Sequence, residues 1–174
     1  MELDKCIRER RSIRTFTSQN VDGSLIEQLL ENARLSPSAK NRQPWRFRVL
    51  YGEEKNQIAK IMLSYVLAGT SVRETAETIL QAPALILVFK PLNTFWNTGD
   101  LLSVGAAIEH ICLSATDLGL GSLWIRDICY SENEIMNYLG LTTQDFNLVS
   151  VIAVGYPDEH PIARPRLKLE ELMI

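Results

Sequence analysis

The chain has 174 residues, 46% of them apolar and 22% charged. That is ordinary for one globular domain of usual size and excludes disorder, collagen and coiled coil as descriptions of the whole. Lys plus Arg number 18 against 21 Asp plus Glu, a net charge of −3, so the bulk electrostatic footprint of a nucleic-acid binder is missing. Three widely spaced cysteines, Cys6, Cys112 and Cys129, form no C-x-x-C. They read as reduced thiols in the cytoplasm, without a metal site. The charged N-terminus has no signal-peptide pattern, and Leu101–Leu120, broken by Glu109, His110 and Asp117, reads as a core helix and not a membrane span.

In chain order, Leu3, Cys6 and Ile7 keep helical spacing, predicting a helix that ends near Arg10 or Arg11. A second helix follows Asp22-Gly23, opened by a capping box at Ser24-Leu25-Ile26-Glu27 and stopped by Pro37. Trp45, Phe47, Val49 and Tyr51 alternate with Arg46, Arg48 and Leu50, predicting a strand with one polar face. Gly52 turns into a helix carrying Ile58, Ile61, Met62 and Tyr65, and Ser71 is placed to cap another. Ala84–Phe89, between Pro83 and Pro91, suits a buried strand. Asp100–Leu118 predicts a long helix, apolar nearly all round, with Gly119 to end it. Ser122–Ile125 predicts a short strand, Ser131 to Gly140 a capped helix, and Leu148–Val154 the last strong strand. Helices separate the strands irregularly, so the pattern gives an α+β fold in three layers, a single domain over residues 1–174.

Four segments carry chemistry. Arg8 to Arg14 places Arg10, Arg11, Ser12 and Arg14 just past a helix end; guanidiniums and a hydroxyl are what a phosphate needs, although the segment taken alone reads more simply as a solvated basic helix end. Ser36-Pro37-Ser38-Ala39-Lys40-Asn41-Arg42-Gln43-Pro44-Trp45 is stiff and amide-rich, able to hydrogen-bond a planar polar ligand, and long for a mere connector. Gly119-Leu120-Gly121 closes a helix and opens a strand, the reverse of the dinucleotide fingerprint. Arg164-Pro165-Arg166 could grip an anion. His110 and His160 enter no catalytic constellation, so any hard chemistry belongs to a cofactor.

Taken in order, the segments R-R-S-I-R-T-F (10–16), S-P-S-A-K-N-R-Q-P-W (36–45), G-A-A-I-E-H-I-C-L-S-A-T-D-L-G-L-G (105–121), and V-G-Y-P-D-E (154–159) with R-P-R-L-K-L-E-E-L (164–172) resemble the FMN-dependent nitroreductase family. The resemblance implies a three-layer α/β/α fold around a mixed, mainly antiparallel sheet. It further implies a homodimer with exchanged terminal arms and two FMN molecules in the interface. Arg10, Arg11, Ser12 and Arg14 would then meet the phosphate and ribityl chain, joined by Arg164 and Arg166. Pro37, Ser38, Ala39 and Asn41 would come from the other subunit, and Leu123, Trp124 and Ile125 would lie against the isoalloxazine. Arg126 would offer a backbone N–H near the flavin, and Arg73 is a candidate for its pyrimidine edge. Ser103 departs from the acidic residue of many relatives. The expected activity is hydride transfer from NADH or NADPH through FMN to a small electron-poor acceptor, a nitroaromatic or quinone, with no nucleic acid or membrane involved. Alternatives are reductive dehalogenation, flavin cleavage, or flavin or nucleotide binding without turnover.

Overall fold

A computed structural model describes residues 2–66, 70–92 and 95–174. Helices α1 (Leu3–Glu9) and α2 (Gly23–Arg34) precede strand β1 (Arg46–Tyr51); α3 (Gly52–Leu63) and α4 (Val72–Gln81) lead to β2 (Ala84–Pro91). Helix α5 (Asn97–Asp117), strand β3 (Gly121–Ile125), helix α6 (Glu132–Tyr138) and strand β4 (Phe146–Gly155) follow, and a short 3₁₀ turn at Leu169–Leu172 ends the chain. The strand order is β1-β2-β4-β3, antiparallel at every pairing. Among the described residues the parallel component is one bridge, from Ser12 of the N-terminal arm to Ser122 of β3.

Strand periodicity divides the core. Leu85, Leu87 and Phe89 of β2 point into a cluster with α3, α4 and α6, through Ile58, Met62, Ile79 and Ile135. Ala84, Ile86 and Val88 point the other way, to Ile26 and Leu29 of α2 and Ile108 and Ile111 of α5. Side chains two apart share a face of a strand, so one continuous apolar run feeds two cores and yields the three layers. The alternation breaks once, at a bulge opposite Val88/Phe89. There Ser150 is buried and its hydroxyl donates to the Ile125 carbonyl at 2.6 Å, closing the end of β3.

Several expected details are corrected. The N-cap of α2 is Asp22: its carboxylate accepts from the Ser24 N–H at 2.8 Å and from the Ser24 hydroxyl at 2.7 Å, so the cap falls two residues before the expected capping box. Ser71 precedes α4, but its hydroxyl donates to Asp127 at 2.6 Å and caps nothing. Ser131 likewise makes no side-chain cap on α6. The arginine face of β1 is not wholly polar, because Leu50 on that face is buried among α3 and α4. Tyr65 falls just beyond α3. Helix α5 begins at Asn97, three residues before Asp100, and β2 runs on through Lys90 and Pro91, paired with Asn147 and Phe146. Among the described residues no helix is long and apolar enough to cross a membrane.

Candidate functional site

Helix α1 ends at Glu9, with the Arg10 N–H bonded to the Cys6 carbonyl. The chain then runs extended beside β3: the Ile13 N–H donates to the Ser122 carbonyl at 3.0 Å. Gly121 permits this approach, since a Cβ there would lie 2.8 Å from Ile13 Cγ1. Further along, Phe16 bridges Pro157 after β4, so the N-terminal arm meets the start of the C-terminal tail.

The arm and tail enclose a cavity of about 300 Å³ lined by Arg10, Arg11, Ser12, Arg14, Arg164 and Arg166 together with Pro161 and Ile162. Five guanidinium-bearing side chains face it and no carboxylate does. Such a wall attracts an anion, because the lining holds no carboxylate and Glu109 beside it meets Arg10 alone of the five. Arg11 is fixed by two hydrogen bonds of 2.7 Å from Nη1 to the carbonyls of Arg8 and Arg10, while its Nε is buried with no partner. A buried N–H left unsatisfied is costly and calls for an acceptor. Phosphate oxygens supply acceptors of the right kind, so the residues present fit a phosphate-bearing group such as that of FMN.

A second cavity of about 470 Å³ shares Arg10 and Ser12 with the first and extends over Glu109, Cys112, Ser122, Trp124 and Arg126. Arg10 Nε stands 3.8 Å from Glu109 of α5 across it. Trp124 is 45% exposed here, whereas Leu123 and Ile125 are 4% and 1% exposed and pack into the core beneath the sheet. Of the three, Trp124 alone offers its side chain to a ligand; the other two can reach one through backbone. Burial pushes the Cys112 thiol up to about 11, against a smaller opposing effect of a hydrogen bond with Ser122.

Pro37, Ser38, Ala39 and Asn41 line neither cavity. Their loop sits instead at the N-terminal end of α5, where the Ala39 N–H reaches the Ser103 hydroxyl at 3.5 Å. Lys40, Asn41 and Gln43 all have positive φ, at 54°, 53° and 49°. That is an uncommon conformation for non-glycine residues and is held only where surroundings enforce it. The enforcing contacts are an ion pair of Arg42 with buried Asp100, the Gln43 N–H on the Ser38 hydroxyl at 3.0 Å, and Trp96, whose ring centroid lies 4.4 Å from Arg42 Cζ and 4.8 Å from Lys40 Nζ. Arg73 is exposed on α4. His110 Nδ1 lies 2.8 Å from the Ser36 hydroxyl and 3.1 Å from the Asn32 carbonyl, tying α5 to the end of α2.

Sequence reasoning brought together Arg10, Arg11, Ser12, Arg14, Arg164 and Arg166, and the structure gathers the same six. It missed Glu109, Cys112 and Ser122 in the second cavity, and the Trp96–Asp100 support of the loop. The pairs Arg10–Glu109, Arg42–Asp100 and Arg42–Trp96 each join residues more than fifty positions apart, and Cys112 meets Ser122 only across the turn from α5 into β3, so none leaves a local pattern.

The family model for the nitroreductase family matches residues 7–156, and the chain belongs to that family. A protein of Archaeoglobus fulgidus named as an NADH dehydrogenase/NAD(P)H nitroreductase is 30% identical over 162 residues, covering 91% of this chain and 87% of that one. The crystal structure of a nitroreductase-type protein of Desulfovibrio desulfuricans in complex with FMN superposes with a TM-score of 0.86 at 26% identity, covering 100% of this chain and 96% of that one. An iodotyrosine deiodinase of Nematostella vectensis is 26% identical, with 99% of this chain and 74% of that one covered.

Proposed function

We propose that the protein is an FMN-dependent oxidoreductase that draws a hydride from NADH or NADPH and reduces a small electron-poor acceptor such as a nitroaromatic or a quinone. It works as one domain per chain in a cytoplasmic homodimer. The observation that carries this reading is the cavity of five arginines without a carboxylate, one of them with a buried orphan N–H. Bound FMN supplies the two-electron redox chemistry; the chain supplies binding, orientation and fixed charge.

Arg10, Arg11, Arg14, Arg164 and Arg166 hold the phosphate, with Ser12 toward the ribityl chain. Trp124 and the backbone of Leu123 to Arg126 lie beside the ring system in the adjoining cavity. Pro37, Ser38, Ala39 and Asn41 of a second copy cover the ring from the other side. That they stand away from both cavities of their own chain supports a site divided between two copies. No side chain is assigned as a compulsory acid or base, in keeping with a pocket that serves donor and acceptor in turn.

The test is spectroscopic. The purified protein is expected to be yellow, with about one FMN per chain, and to bleach anaerobically with NADH or NADPH and recolour on adding a quinone or nitroaromatic. A colourless protein that takes up no added FMN removes the reading; a yellow protein that never bleaches leaves a flavin-binding protein without turnover.

A further inference from the structure

Glu159 joins the two arginine segments. Its Oε1 accepts from the backbone N–H of Arg14, a short contact, and from that of Thr15 at 3.1 Å. Immediately before it, the Asp158 N–H donates to the Thr15 carbonyl at 2.9 Å and the Thr17 N–H to the Tyr156 carbonyl at 2.9 Å. Residues 14–17 and 156–159 are thus clasped along four positions. Beyond Glu159 the tail is irregular and mostly exposed as far as Lys168. Within that stretch the recorded arginine hydrogen bond, Arg166 Nη1 to the Arg164 carbonyl at 3.3 Å, is internal to the tail. Yet both arginines line the cavity. Glu159 hydrogen-bonds the N-terminal arm five residues before Arg164.

We propose that Glu159 is a positioning residue: it anchors the tail so that Arg164 and Arg166 stand opposite Arg10 and Arg14, and it sets affinity for a phosphate dianion that it does not touch. The inference rests on the FMN reading of the cavity and deepens it. Charge and position make opposite demands here. As a negative charge near the cavity, Glu159 repels a dianion, so its removal through charge alone would tighten binding. As an anchor it pre-organises two guanidiniums, so its removal weakens binding through the ordering that the ligand must then impose.

The experiment titrates apoprotein with FMN and with riboflavin, which lacks the phosphate. Glu159→Ala is expected to weaken FMN by about 10-fold or more and riboflavin by less than about twofold. Glu159→Gln keeps an oxygen acceptor without the charge, and should bind FMN within about threefold of the parent or more tightly. In an Arg164→Ala/Arg166→Ala background, Glu159→Ala should cost less than about a further twofold, because the groups it positions are gone. Unchanged or tighter FMN binding by Glu159→Ala overturns the proposal, as does equal loss of riboflavin or equal loss in the arginine-free background. Inorganic pyrophosphate, followed by calorimetry, separates this proposal from the flavin reading. A parent that binds pyrophosphate but not FMN, with the same loss on Glu159→Ala, ends the flavin reading and keeps the anchor. A parent that binds neither ends both.

Discussion

Cys112 is 3% exposed in the wall of the larger cavity, and burial raises its thiol from the ordinary 9.0 to about 11. The folded protein therefore holds this proton more tightly than the unfolded chain does. Its contribution to stability is complete below pH 9 and is lost as pH rises toward 11. Urea unfolding across that interval should show the parent losing more stability than Cys112→Ala; parallel losses would show that Cys112 does not titrate as the geometry requires. At Asp100, 3% exposed, the carboxylate is the ionic partner of Arg42, whose Nη1 is already buried without a partner. Asp100→Ala should destabilise the protein by about 3 kcal/mol, because it strands a largely buried guanidinium. Arg42→Met/Asp100→Leu, which removes both charges, should recover much of that loss. Urea midpoints for the single and double variants decide the point.

At the scale of elements, the N-terminal arm is held to the sheet by absent side chains as much as by present ones. A Cβ on Gly155 would stand 2.5 Å from Pro83 Cδ and 2.8 Å from Phe16 Cδ1. Gly155→Ala therefore has to displace a proline ring and the aromatic ring that pins the arm. The expected loss is about 1–3 kcal/mol, the usual cost of overpacking. Phe16 lies beside the residues that carry Arg14, so FMN affinity should fall in the same variant. A Gly155→Ala protein with unchanged thermal midpoint and unchanged FMN affinity would show that the arm accommodates the methyl elsewhere. Gly119, by contrast, closes α5 at φ +74°, with open space around it; its role is conformational.

For the whole molecule, the distribution of apolar surface argues for a second copy. Leu102 is 73% exposed on α5, and Leu167, Leu169, Leu172 and Met173 are each more than 60% exposed on the tail. Four large apolar side chains exposed within seven residues of the tail, with a fifth on α5, are apolar area that a second copy would cover. Sedimentation at micromolar concentration should give a dimer in both apo and FMN-loaded protein, and removal of residues 167–174 should shift it toward monomer. A flavin-loaded monomer would defeat the divided site. Oligomerisation is linked to folding, so the truncated chain should also melt at a lower temperature that depends on protein concentration.

Residue order alone determined the elements and their type, because hydrophobic period, proline and glycine act within a few neighbours. The long apolar helix α5, the buried β2 and the glycine stops were legible for that reason. The six residues at the arginine cavity were legible as well, since two short clusters of guanidiniums are conspicuous in a chain of net charge −3. What the tertiary structure decided is what depends on distant pairs. Leu50 turned the arginine face of β1 partly inward because α3 packs there. Trp96 and Asp100 came to brace a loop more than fifty residues upstream. Glu159 reached the backbone of Arg14 across 145 positions, the kind of contact that only a closed chain creates.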